Sequence, residues 1–320
     1  MNIVWATLIL IVSGAFIIFG GGKLVDSSVA IAKKLRIPTP IVGATIVSLC
    51  TTIPELLVSV FSVSSGASDI AIGNAFGSII FNTCVIGGIL LCFVLLNLKK
   101  GWNYEYILLI CTLILIFILS LNGNFGLISS IVLLVIFVAF MILNYIKAKK
   151  EPEERTQGQY EKSIWFYIFL FLLAATALGV GSYFMVESAK YLASMAGLSE
   201  IFIGLTIVSI GTSLPELITT IMAIRKKEAG LGLGNIVGAN VFNATLFIGL
   251  TGVLAGGLGV SFETLYVTIP FAIISAIIML VPVLIHKRTF KWQGITLLVM
   301  YSLYYAFLIL SALGVFVLPA

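Results

Sequence analysis

The chain reads as blocks of apolar residues broken by short polar connections. The blocks are too long for membrane strands of roughly 10 residues and suit helices of about 20, the length that crosses a bilayer. They predict ten spans, at 3–25, 38–64, 70–97, 103–121, 126–146, 164–190, 199–224, 230–256, 264–285 and 293–316. The longest polar stretch, Lys147–Lys162, divides the chain almost in half. The first block is apolar from Ile3 onward and lacks a basic leader, which predicts a retained span rather than a cleaved signal.

The connections carry the charge. Of the 18 Lys and Arg, all but Lys23 and Lys190 fall in alternate connections, around 33–36, 99–102, 147–163, 225–228 and 286–291. Basic residues gather on the cytoplasmic side of membrane proteins, so these loops are expected inside and both termini outside. Composition agrees: 60% of the 320 residues are hydrophobic, 10% are charged and the mean hydropathy is +1.19. Soluble domains carry about 25% charged residues, and a soluble chain could not bury so much apolar surface. The net charge of +5 is explained by orientation in the bilayer, without nucleic acid. Cys50, Cys84, Cys92 and Cys111 lie in apolar segments without metal-ligand spacing and read as small buried residues.

Shifting the sequence by 161 residues exposes an internal repeat. Gly43–Leu56 (GATIVSLCTTIPEL) falls on Gly204–Leu217 (GLTIVSIGTSLPEL), with nine of fourteen positions identical. Gly73–Asn82 (GNAFGSIIFN) falls without a gap on Gly234–Asn243 (GNIVGANVFN), with five of ten identical, and Asp26 falls on Glu187. Five spans per half is an odd number, so the second half enters the membrane from the opposite side. The expected architecture is therefore an all-α membrane protein of ten transmembrane helices in two inverted five-helix repeats, 1–146 and 164–320. The cytoplasmic linker 147–163 joins them. Transporters built this way bind their cargo near the midplane, where the repeats meet.

Two acids, Glu55 and Glu216, sit deep inside apolar runs. A carboxylate in hydrocarbon is costly, so such residues mark an ion path or proton relay. Ser48, Thr51, Thr52 and Glu55 are spaced i, i+3, i+4 and i+7, one face of a helix, and Ser209, Thr212, Ser213 and Glu216 repeat the spacing. Asn74, Ser78 and Asn82 share a face of the next span; their counterparts are Asn235, Ala239 and Asn243. Pro54 and Pro215 each remove a helix hydrogen bond beside the carboxylate, so both helices are expected to kink or unwind there. Broken helices at matching positions of two halves point to a transport site. The glycines of the GNAFG and GNIVG segments are expected to permit close helix packing. Asp26 and Glu187, near span ends, are read as wet structural residues or as lining an ion entrance.

The donors on offer are carboxylate, hydroxyl, amide and carbonyl oxygens, without His, Cys or Met. Oxygen-only sites suit hard cations, and flexible ones suit Ca2+ over Mg2+. Two carboxylates can neutralise one Ca2+, two Na+ or protons, which motivates exchange of one load for another and leaves the counter-ion open.

At these motifs the sequence resembles the calcium/cation antiporter superfamily, most closely its sodium/calcium exchanger branch. The motifs are CTTIPE with GNAFGSIIFN, and GTSLPE with GNIVGANVFN. The resemblance implies a calcium site built by Glu55 and Glu216 with Thr51 and Thr212, completed by Asn82. It implies flanking sodium sites using Thr52, Ser213, Ser78 and backbone oxygens near Ser48 and Ser209, and a sliding motion of the first span of each half. Ala239 stands where Ser is common, and Asn243 where some exchangers have Asp. These departures bear on the sodium count and on proton or potassium coupling. The function expected is Na+-driven Ca2+ antiport, with H+/Ca2+ or K+-dependent exchange on the same fold as the alternative. A passive channel would need no counter-ion, and an intramembrane enzyme is disfavoured because no HExxH, DxxD or nucleophile–base set appears. The expected partners are the ions and the lipid bilayer, with no cofactor, no nucleic acid and no obligate protein partner.

Overall fold

The computed structural model describes residues 2–64, 68–96, 104–150, 162–195 and 209–312. The helices are α1 (Ile3–Leu35), α2 (Thr39–Thr51), α3 (Ile53–Ser64), α4 (Ala71–Phe93), α5 (Tyr104–Leu119) and α6 (Leu127–Lys150). They continue with α7 (Ile164–Met195), α8 (Ser209–Thr212), α9 (Leu214–Arg225), α10 (Ala229–Ala255), α11 (Thr264–His286) and α12 (Lys291–Ala312). Among the described residues seven helices are long and apolar enough to cross a membrane, or eight if α2 and α3 form one broken span. Of the other predicted spans, α5 is short at 16 residues, and the first part of 199–224 lies outside the described residues, as does most of the linker.

The first span is longer than expected, running on to Leu35. Lys33 and Lys34 sit in its last turn, where the negative end of the helix dipole favours them. Arg36 adopts a left-handed conformation (φ 57°), and Ile37 N–H donates to Ala32 O, closing the helix. One small departure from an all-helical chain is an antiparallel pair of three-residue strands, β1 (Asn124–Gly126) and β2 (Gly257–Gly259).

The chain divides into two compact units: Met1–Pro54 with Asn144–Asn235, and Glu55–Leu143 with Ile236–Ala320. Each draws on both halves of the repeat. In the first unit α1 packs along α7 through two glycines that coincide under the 161-residue shift, Gly20 and Gly181. A Cβ on Gly20 would lie 3.1 Å from Ala174 O, and one on Gly181 3.2 Å from Ser13 O. Small residues let membrane helices approach to this distance, where dispersion replaces the absent hydrophobic drive. Leu24, Val25, Phe171, Leu178, Met222 and Leu231 fill the core around this crossing. Helix α9 also rests on α1: Ile218 fills the space at Gly21, and Lys226, just past the end of α9, is paired with Asp26 and donates to Gly22 O at 2.7 Å. Asp26 is thus a half-exposed partner of a lysine. Under the shift Lys226 falls on Ser65, so the other half has no cation at that register.

In the second unit the Phe242 ring meets Phe137 and Phe140 edge-on, at 5.0 and 6.5 Å between centroids. The apolar window of α4 is 72% buried and that of α10 is 83% buried, against 22% for α1, α6, α7 and α12. The helices that carry the repeated asparagines are therefore interior. The outer helices turn residues such as Trp5, Ile128 and Trp165 outward, the surface expected to meet lipid.

Candidate functional site

The helix breaks fall where the prolines predict them, with a local geometry that alters the expected single face. The backbone leaves the helix at Thr52 (φ −89°, ψ 3°) and restarts at Ile53; it does the same at Ser213 (φ −92°, ψ 10°) and restarts at Leu214. Each proline therefore lies in the first turn of a new helix, where its missing N–H costs nothing. Glu55 and Glu216 follow at the third position of α3 and α9. Helix amides are unpaired there and the dipole is positive, which favours a carboxylate. The serine and threonine hydroxyls before each break thus belong to a different helix from the glutamate that follows.

Wide π turns prepare both motif segments. One spans Gly43–Val47 in α2, and two occupy Asn82–Gly87 in α4 and Phe242–Phe247 in α10. Such turns are frequent at functional sites. The turn before Ser48 lets its hydroxyl reach back five residues to Gly43 O, at 2.8 Å.

Every predicted site residue whose side chain is described is buried, the most open being Thr212 at 8%. Ser209 opens α8, and its side chain lies outside the described residues. Ser48, Thr51, Thr52, Thr212, Ser213 and Glu216 belong to the first unit. Ser48 Oγ approaches Asn235 O at 3.0 Å and Asn235 Oδ1 at 3.3 Å; Thr51 Oγ1 reaches the same Oδ1 at 3.3 Å. Thr52 Oγ1 donates to Ser48 O at 2.6 Å, so this hydroxyl caps its own turn. Neither oxygen of the Glu216 carboxylate has a hydrogen-bond partner of ordinary geometry, and the Thr51 hydroxyl is a polar side chain that acts on it.

Glu55, Ser78, Asn82 and Asn243 belong to the second unit. Asn74 Nδ2 donates to Glu55 O and to Ser59 Oγ, both at 3.0 Å, tying α3 to α4. Asn82 is fully buried with neither amide atom hydrogen-bonded. Asn243 donates to Ala239 O at 2.9 Å and leaves Oδ1 unpartnered. Unpaired buried polar atoms are rare because each forfeits its hydration. Here Glu216, Asn82 and Asn243 leave carboxylate and amide oxygens in that condition, the donor type a hard cation takes.

Four buried residues were not among the predicted set. Asn235 holds the predicted Ser48 and Thr51 through its Oδ1, and a signal existed in its place in the repeated Gly-Asn pair. Thr219 and Thr220, one turn beyond Glu216, are fully buried with unpartnered hydroxyls; their i+3 and i+4 spacing from the glutamate could have marked them. Glu105, 3% exposed at the start of α5, is a third buried acid that its place at a span end concealed.

The brace on Ser48 gives a direct expectation. Ser48→Ala removes a donor from Asn235 and should cost about 1–2 kcal/mol, read as a lower thermal midpoint in detergent. An unchanged midpoint would show the contact to be idle.

The profile described as sodium/calcium exchanger protein matches residues 5–146 and 166–310. The sodium/calcium exchanger MaX1 of Methanosarcina acetivorans is 28% identical over 340 aligned positions, covering 92% of this chain and 95% of that one. The human sodium/potassium/calcium exchanger 2 is 33% identical over 156 residues, 46% of this chain and 23% of that one. Among solved structures, the sodium-calcium exchanger NCX_Mj soaked with 2.5 mM Na+ and 10 mM Sr2+ superposes with a TM-score of 0.85. That match is 24% identical and covers 95% of this chain and 99% of the other; it shows a shared fold.

Proposed function

Because this chain belongs to the sodium/calcium exchanger family, a family of multi-pass transporters, we propose that it exchanges Ca2+ for Na+ by alternating access. In this reading the chain crosses the bilayer ten times as two inverted five-helix repeats, 1–146 and 164–320, with both termini outside and the basic loops in the cytoplasm. Glu55 and Glu216 supply the two carboxylates that neutralise one Ca2+. Thr51, Thr212, Asn82 and Asn243 add neutral oxygens, and Thr52, Ser213, Ser78, Ser48 and Ser209 serve the sodium ions. The observation that carries the proposal is the Glu216 carboxylate: fully buried, at a helix start created by a proline break, with both oxygens lacking a hydrogen bond. A buried charge left so is stable only with a counter-charge, and a cation that enters and leaves provides one.

A proton- or potassium-coupled exchange on the same fold is the second reading, supported by Ala239 and Asn243. Ala239 offers no side-chain oxygen and Asn243 no charge, which leaves fewer donors for extra sodium. Purified protein in vesicles loaded with Na+ separates the two. Radioactive calcium should enter when the outward Na+ gradient is imposed and should not respond to a pH gradient alone. Uptake driven by pH and indifferent to Na+ would overturn the sodium reading. A strict requirement for K+ on the calcium side would select the potassium form.

A further inference from the structure

Asn74 stands on the face of α4 that also carries Ser78 and Asn82, one and two turns further on. Both of those residues are buried. The Asn74 Nδ2 carries two hydrogens and donates twice to α3, to Glu55 O and to Ser59 Oγ, both at 3.0 Å. The two acceptors are four residues apart, so they lie on one face of α3, about 6 Å from each other along its axis. A grip at two such points fixes both the height of α3 against α4 and its rotation. A carbonyl oxygen has two lone pairs, so Glu55 O accepts this bond without leaving the helix ladder.

The helix break makes such a grip necessary. A residue in mid-helix is held by backbone bonds on both sides, whereas the first turn of a helix lacks those on its N-terminal side. The backbone leaves the helix at Thr52, and only Ile53 and Pro54 precede Glu55 in α3. We infer that Asn74 is a positioning residue for Glu55. By holding the Glu55 carbonyl it sets the register between the carboxylate borne by α3 and the side-chain oxygens of Ser78 and Asn82 borne by α4. It acts through Glu55 rather than on the ion. Ligands aligned beforehand lose less freedom when a cation binds, so the bond contributes to affinity. The inference deepens the cation-exchange reading proposed above and rests on it.

Three variants separate positioning from packing. Asn74→Ala removes both bonds, and Asn74→Leu removes them while keeping the shape of the side chain. Ser59→Ala removes the second bond and leaves the one to Glu55. Ca2+ affinity is measured by calorimetric titration of the purified full chain, with a cooperative thermal transition as the check that each variant folds. Should the alanine variant fail that check, the leucine variant carries the test. Both Asn74 variants should bind Ca2+ about fivefold more weakly, the worth of one hydrogen bond. Ser59→Ala should bind within about twofold of the wild type, because the Glu55 bond remains. In vesicles the Asn74 variants should need more Ca2+ for half-maximal exchange, yet reach about the wild-type maximal rate once Ca2+ saturates. Wild-type affinity in Asn74→Leu, or equal weakening in Ser59→Ala, overturns the positioning role. A wild type that binds no Ca2+ in the same titration would overturn the transport reading itself, a distinct result.

Discussion

Glu216→Gln is expected to cut calcium exchange by about a hundredfold while leaving the fold intact. Losing a charged ligand costs about 3 kcal/mol, and each 1.4 kcal/mol is a factor of ten. The stability effect should have the opposite sign. The wild-type carboxylate is fully buried and unbonded without its ion, so a neutral amide of the same shape relieves a desolvation cost. The ion-free variant should melt at the wild-type temperature or above it. What it should lose is the upward shift that saturating Ca2+ gives the wild type, since only a ligand that binds the folded protein stabilises it. Glu55→Gln should show the same loss of flux. Wild-type flux from either variant, with normal expression, would dismiss these carboxylates as ligands.

Gly234→Ala should produce a large structural defect from the addition of a single carbon. The added Cβ would sit 2.2 Å from Pro40 O, a backbone atom that cannot rotate away, so α10 and α2 would have to separate. Overpacking of this kind costs about 1–3 kcal/mol or more. The thermal midpoint in detergent should fall well below that of the wild type. Gly73→Ala, at the equivalent position, adds a methyl where nothing among the described residues lies within 4 Å and should leave the midpoint unchanged. Equal effects at the two positions would contradict the packing difference between the halves.

The Gly234 contact agrees with the close packing expected of the repeated glycines, while Gly73 has no neighbour within 4 Å among the described residues. The breaks at Pro54 and Pro215 were legible because proline's lost N–H is a local, chain-encoded effect. Their consequence was only half legible. Spacing placed Ser48, Thr51, Thr52 and Glu55 on one continuous face, yet the restart at Ile53 transfers Glu55 to a helix start. The π turns were not legible, because a spacing read at 3.6 residues per turn carries no signal for one wider turn. Asn235 was visible as half of a repeated pair, but the bond its Oδ1 accepts from the Ser48 hydroxyl spans 187 residues and arises only on folding. The end of α1 was missed for another reason. Hydropathy finds where lipid stops, while helix propensity and the Lys33–Lys34 turn carried the helix on to Leu35.

The π turns at Asn82–Gly87 and Phe242–Phe247 share a register. Under the 161-residue offset Asn82 meets Asn243, so the two turns coincide to within a single position. A wider turn shifts the phase of a helix, so in both motif helices the residues beyond the asparagine face a direction that a count of 3.6 residues per turn does not give.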